Sequence, residues 1–163
     1  MSVVLRVIEK EDLRKLRDWR NEPWLRLYVR EYRLLTMVDQ EKWFEYITTS
    51  REVAMFGVML NRELVGVCGL TNISWVNRTA EVSLYVIPEA RKLGVGAAVL
   101  GKLKQVALEE YNLRRLWAEI YDFNEASIAL FEAAGYVLEG TLQQHIFKRG
   151  SYHDSLMYGR LLR

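Results

Sequence analysis

Residues Arg91-Lys92-Leu93-Gly94-Val95-Gly96 place two cations and two glycines where an extended segment gives way to a helix. The first amides of a helix lack intrahelical partners, and the helix dipole puts partial positive charge there. Gly94 and Gly96 have no Cβ, so a ligand can approach the backbone closely. Arg91 and Lys92 add full positive charge. Together these groups suit a phosphate or pyrophosphate. The common phosphate loops do not fit. A dinucleotide fingerprint starting at Gly94 needs a third glycine where Val99 stands, and no Gly-Lys-Ser/Thr tripeptide exists for a P-loop. Taken by itself, the loop also fits a plain helix start with two incidental glycines.

Two elements must position this loop. Ala80 to Ile87 is dense in strand formers (Val82, Tyr85, Val86, Ile87) and is broken by Pro88. Beyond the loop, Val95, Val99, Leu103, Val106 and Ala107 recur at helical spacing. That helix ends at Tyr111-Asn112, where Asn112 can take the left-handed conformation. Leu116 to Phe123 reads as the next strand. Alternation puts Trp117, Glu119 and Tyr121 on one face and Leu116, Ala118 and Ile120 on the other. Glu81 stands near the start of the earlier strand among apolar neighbours. A carboxylate in such a strand is either on a solvated face or held in a site.

The spacing of Arg91, Gly94 and Gly96 resembles the signature Arg/Gln-x-x-Gly-x-Gly/Ala of the GNAT superfamily of acetyl-CoA-dependent N-acetyltransferases. Asn124-Glu125-Ala126-Ser127-Ile128-Ala129-Leu130-Phe131 … Gly135-Tyr136 is similar to that family's second segment, Asn-x-x-Ala/Ser-x-x-Leu-Tyr-x-x-x-Gly-Phe/Tyr. The opening Asp18-Trp19-Arg20-Asn21 and the closing Glu139-Gly140 … His145 to Asp154 resemble the RimJ/RimL-like branch. The resemblance covers nearly the whole chain. It implies a mixed α/β GNAT-like fold with acetyl-CoA as co-substrate. It implies that Leu84, Tyr85 and Val86 pair with the pantetheine arm, and that the backbone from Arg91 to Gly96, Lys92, Leu93 and Val95 included, holds the pyrophosphate. Asn124 caps its helix by composition; by resemblance its amide reaches the cofactor arm, and capping alone is the alternative.

Acetyl transfer needs a neutral amine, donors for an oxyanion and, less urgently, a proton for the thiolate. A lysine-like amine has a pKa near ~10.4, so a base helps near neutral pH. Three sources stand open: Glu81, Glu119, which matches the glutamate of RimI-type enzymes, or a water relay. The acid is where the chain departs from its family. Many members have tyrosine where Phe131 stands, and phenylalanine has no proton to give. Ser127, one turn earlier, or water is left to serve the sulfur.

The rest of the chain is consistent with one domain over residues 1–163. The 50% hydrophobic and 27% charged content is that of a globular protein, and a net charge of +2 is too small to argue for nucleic acid or an anionic membrane. The single cysteine, Cys68, excludes an intramolecular disulfide and reads as a packed core residue. His145 and His153 with one cysteine offer no metal cluster, so no metal is expected. No leader or membrane span is legible, so a cytoplasmic protein is expected.

Val3 to Ile8, Val53 to Leu60, Leu64 to Leu70, Ala80 to Ile87, Leu116 to Phe123, Tyr136 to Phe147 and Tyr152 to Tyr158 read as strands. Helices are expected at Glu11 to Arg20, Asp39 to Ser50, after Gly94, and at Asn124 to Ala134. Asn72 to Arg78 reads as a polar link. The expectation is one mostly antiparallel twisted sheet of about seven strands with about four helices. Asn21 to Thr36 is aromatic and cationic. By resemblance it covers the acceptor site, with Trp19, Arg20, Asn21, Trp24 and Tyr28 as a substrate wall; ordinary helix packing is the alternative.

The expected function is N-acetylation of a primary amine by direct attack in a ternary complex. The acceptor is a small amine (amino sugar, polyamine or aminoglycoside), with a protein N-terminus as the alternative. A non-catalytic acyl-CoA-binding module also remains open, because of Phe131. A homodimer is an open assembly state.

Overall fold

The computed structural model describes residues 1–163. Seven strands form one sheet: β1 (Val3–Arg6), β2 (Ala54–Leu60), β3 (Glu63–Ser74), β4 (Thr79–Val86), β5 (Arg115–Tyr121), β6 (Val137–Lys148) and β7 (Ser151–Leu161). Their order is β1-β2-β3-β4-β5-β7-β6. Every neighbouring pair is antiparallel except β4 and β5, which run parallel. Parallel strands need a crossover, and α4 (Val95–Gln105) supplies it, with its last turn wound more loosely over Val106–Glu110.

Five helices flank the sheet, in line with the expected number of about four: α1 (Leu13–Asn21), α2 (Pro23–Arg26), α3 (Met37–Thr49), α4 and α5 (Glu125–Ala133). The added one is a single turn. Pro23 ends α1, as its missing N–H dictates, but it also opens α2, because a first-turn proline has no amide to waste. α3 begins with a reciprocal cap: Thr36 Oγ1 accepts from the Asp39 amide at 3.2 Å, and Asp39 Oδ2 accepts from the Thr36 amide at 2.8 Å.

β3 is also longer than its apolar run. It continues past Leu70 through a bulge, where register shifts between Thr71 and Ser74 and Asn72 has φ 47°. Asn72 and Ser74 flank Ile73, which is buried in the core, so these residues belong to a bulged strand and not to a free link.

One core lies between the sheet and α4. Leu70, Ala80, Val99, Leu103, Leu113 and Leu116 are fully buried in it. A smaller cluster, including Leu13, Leu16 and Val67, holds α1 and α3 to the opposite face. Cys68 is buried, and desolvation pushes its thiol up to about 12, which leaves it inert. No helix is long and apolar enough to cross a membrane.

Candidate active site

The parallel pair positions the site. β4 and β5 pair only over Thr79–Glu81 with Arg115–Trp117. Beyond Glu81 they carry no ladder pairs with each other, although β4 runs on to Val86 and β5 to Tyr121. The sheet therefore opens into a cleft, and the β5-facing backbone groups of β4 are free for a ligand to pair with. Its volume is about 860 Å³. Leu84, Tyr85 and Val86 line one wall. Arg91, Lys92, Gly94, Val95 and Gly96 close one end, and Asn124, Ser127 and Phe131 line the side formed by α5.

The loop at that end has the geometry of a cradle. Gly94 precedes α4 with φ 77°, a left-handed conformation that side chains rarely adopt, and Lys92 shares that region at φ 61°. Arg91 lies 5.3 Å from the Trp24 ring, a cation–π contact that holds the loop against α2. Gly96 has a packing reason of its own: a Cβ there would come within 2.9 Å of Leu130 Cδ2 where α4 crosses α5. Asn124 Oδ1 caps α5 by accepting from the Ser127 amide at 3.2 Å, which leaves its Nδ2 uncommitted beside the cleft. Phe131 is 5% exposed and packs edge-on against Tyr136 at 4.9 Å. These groups fit the phosphate, amide and thioester parts of a coenzyme A arm.

The other end is acidic. Alternation puts the faces of β4 and β5 in phase, so Glu81 and Glu119 emerge on the same side of the sheet. Ala80, Val82, Leu116, Ala118 and Ile120 enter the core on the other. Glu81 is 6% exposed. It accepts from Asn72 Nδ2 at 2.7 Å, which the β3 bulge aims at it. Glu119 accepts from Ser155 Oγ at 2.6 Å. Arg30 bridges the two. Its Nη2 donates to Glu81 Oε1 and, at 2.6 Å, to Glu119 Oε2; its Nη1 reaches Glu81 Oε2 at 3.3 Å and its Nε reaches Glu119 Oε2 at 3.0 Å.

Burial works against ionisation of Glu119, but hydrogen bonds from Ser155 and Arg30 outweigh it and hold the carboxyl below its ordinary range. Burial likewise works against the Arg30 charge, and the two carboxylates overcome it, so the guanidinium is held more firmly protonated than usual. Tyr121 lines the same end, pushed up to about 12 by burial and then by Glu119.

Three expected residues lie off the cleft. Leu93 faces solvent. Trp19 packs edge-on against Tyr85 at 6.3 Å, behind the wall. The Asn21 amide is used up by the backbone of Leu35, donating to its carbonyl at 2.9 Å and accepting from its amide at 2.7 Å, so it ties down the segment that follows α2. Arg20, Trp24 and Tyr28 do line it, and Arg20 Nε is buried without a hydrogen-bond partner.

Arg30, Asn72 and Ser155 were not among the expected site residues. Arg30 was visible only as one of several arginines in the aromatic–cationic stretch. Nothing in the local pattern pairs it with carboxylates 51 and 89 residues away.

Over residues 5–157 the sequence matches the family described as the acetyltransferase (GNAT) domain. The chain belongs to the GNAT acetyltransferases. It is an acetyl-CoA-dependent N-acetyltransferase, with acetyl-CoA as co-substrate. Among its GNAT relatives, the spermidine N(1)-acetyltransferase of Vibrio cholerae is 24% identical over 154 residues, 94% of this chain and 89% of that protein. The ribosomal-protein-serine acetyltransferase of Escherichia coli is 28% identical over 108 residues, 66% of this chain and 60% of that protein. The Vibrio cholerae spermidine N-acetyltransferase solved with CoA and spermine has a TM-score of 0.93 at 23% identity, covering 98% of this chain and 95% of that one. That likeness establishes the GNAT fold: a mixed α/β domain around a seven-stranded sheet.

Proposed function

We propose that this protein acetylates a primary amine of a small cationic acceptor, of the polyamine class, by direct attack on acetyl-CoA in a ternary complex. One observation carries the reading: the opened β4–β5 cleft is basic at the Arg91–Gly96 end and holds two buried-side carboxylates, Glu81 and Glu119, at the other. Phosphates suit the first end and ammonium groups the second. The match to polyamine acetyltransferases along almost the whole chain supports the same acceptor class.

In this reading, the diphosphate rests on the amides from Gly94 to Gly96 and on Arg91 and Lys92, and the pantetheine amides pair with Leu84 to Val86. A backbone N–H of that β4 edge donates to the carbonyl oxygen as it becomes an oxyanion. The acceptor ammonium sits by Glu81 and Glu119 and gives up one proton, to a carboxylate directly or through water. The amine then attacks the thioester carbon, the C–S bond breaks, and the second N–H proton ends on the thiolate by way of Ser127 or water. Phe131 offers no proton, and a thiolate is a good enough leaving group to tolerate that. The protein acts in the cytoplasm, where acetyl-CoA and free polyamines meet.

The test is thiol release from acetyl-CoA across spermidine, putrescine, an amino sugar, an aminoglycoside and a peptide with a free N-terminus. Turnover is expected with the polyamines first. Turnover only with the peptide would move the protein to the N-terminal acetyltransferases. Tight acetyl-CoA binding with no turnover on any amine would make it a binding module.

A further inference from the structure

We propose that Arg30 is a built-in competitor for the acceptor site, a resident cation that an acceptor ammonium must displace. The inference rests on the assignment of Glu81 and Glu119 to the acceptor end. It begins from what Arg30 touches. Three of its guanidinium nitrogens are spent on these two carboxylates, which come from different strands across the mouth of the cleft. The carboxylates are nearly buried, with side chains 7% and 9% exposed, while the Arg30 side chain is 56% exposed. The acids are fixed parts of the sheet. The cation is a visitor from a loop.

The loop is built to let it leave. Lys148 Nζ donates to the carbonyls of Arg26, at 3.2 Å, and Val29, at 2.6 Å, and Asn21 clamps Leu35. The segment is therefore anchored on both sides of Arg30 by backbone contacts that do not involve its side chain. Release of the guanidinium breaks its four hydrogen bonds to the carboxylates but moves no backbone, only the rotamer of an already solvent-reaching side chain.

The charge count says what can displace it. Glu81 and Glu119 carry two negative charges against one on Arg30. An acceptor with a single amine would exchange cation for cation, and would then lose its own positive charge on becoming nucleophilic. A di- or triamine keeps a second ammonium beside the carboxylates after the reacting nitrogen has given up its proton. The carboxylate pair thus favours acceptors with two or more amines, and Arg30 lowers apparent affinity for all of them in proportion to the fraction of time it leaves the pair open.

The experiment compares the parent with R30Q and R30K, using spermidine, putrescine and ethylamine as probes. KM is read from thiol release, and the dissociation constant of each amine for the CoA-bound protein is read by calorimetry. For every amine that binds, R30Q is expected to lower KM and the dissociation constant by about fivefold or more, with R30K between it and the parent. Acetyl-CoA affinity, read separately, reports that the fold is intact. Unchanged or weaker amine binding in R30Q overturns the proposal and makes Arg30 a positioning residue for the carboxylates. If the parent turns over spermidine and R30Q does not tighten it, the acceptor class stands and the competitor falls. If the parent ignores both spermidine and putrescine yet R30Q tightens ethylamine, the competitor stands and the acceptor class falls. If neither protein binds any amine, both are wrong.

Discussion

Replacing Glu81 or Glu119 by glutamine separates chemistry from structure, because the neighbours of each can adapt. Glu81 accepts from Asn72 Nδ2, and the Asn72 amide can turn over to present its oxygen to a glutamine NH2. Glu119 accepts from Ser155 Oγ, and a hydroxyl can rotate to accept instead. Each variant keeps one carboxylate for Arg30. The loss is then one charge-assisted hydrogen bond weakened to a neutral one, about 1 kcal/mol, and less than that because Arg30 is more than half exposed. Both variants should therefore unfold in urea within about 1 kcal/mol of the parent.

The kinetic effect should be larger. At pH 7 an amine with a pKa near ~10.4 is neutral in roughly one molecule in 2,500, a cost of about 4.6 kcal/mol. At pH 9 the cost is only about 1.9 kcal/mol. A carboxylate that accepts the proton should contribute about 10² or more to kcat/KM for the acceptor at pH 7. It should lose about 2.7 kcal/mol of its usefulness, roughly a hundredfold, by pH 9. The assay is thiol release between pH 6.5 and 9.5, with acetyl-CoA affinity measured alongside. The variant whose defect shrinks with pH identifies the base; one with a pH-independent rise in KM identifies an anchor. Near-parent activity of both variants at pH 7 refutes the reasoning and leaves water as the only proton acceptor.

Other perturbations test neighbouring steps. Phe131→Tyr adds one hydroxyl at the cleft wall, so it should fold and raise turnover by less than about tenfold, or ~1.4 kcal/mol; Ser127→Ala should slow the parent more than the Phe131→Tyr variant, and strictly additive effects in a double-mutant cycle would show separate roles. Gly94→Ala meets only Met1 Cε, at 3.6 Å, so its expected cost is the left-handed backbone, about 1–2 kcal/mol, with weaker acetyl-CoA binding in calorimetry. Gly96→Val carries no such backbone cost, but its Cβ meets Leu130 Cδ2 at 2.9 Å, so it should cost ~1–3 kcal/mol in urea unfolding. Asp12 is held below the usual carboxylate range, first by the hydrogen bonds from Arg6 at 2.7 and 2.9 Å. Its stabilisation is present above the unfolded carboxylate pKa and is lost as pH falls through the lower folded value, so urea midpoints of Asp12→Asn should drop less between pH 5 and pH 3 than those of the parent.

Much of the fold was legible because its signals are local. Alternation in Leu116 to Tyr121 gave the faces of β5, and the β-branched run before Pro88 gave β4. The spacing from Val95 to Leu103 gave α4. Pro23 misled only in part: its ring forbids the middle of a helix yet favours a first turn, and one residue satisfied both rules. Asn72 read as a link because it opens the polar stretch Asn72 to Arg78 between two apolar strands. Here it is the bulge residue that reaches Glu81, and only the partner strand distinguishes the two.

The donor end of the site was legible for the same reason, since the loop and the start of α4 are contiguous in sequence and the Asn124 cap is a signal local to α5. The acceptor end was half legible. Glu81 and Glu119 stood out as carboxylates in strands, but the choice between a solvated face and a held group depends on what lies across the cleft, and that is supplied from far away in the chain. Arg30, Asn72 and Ser155 turn two strand acids into a compensated pair. The compensation also changes their chemistry. With Arg30 seated, Glu119 is held ionised and is a poor proton acceptor. An ammonium that displaces Arg30 brings the proton to be transferred and removes the cation that opposed its transfer. The same event that admits the acceptor would thus ready the carboxylate, so activation and selection are expected to move together in the Arg30 variants.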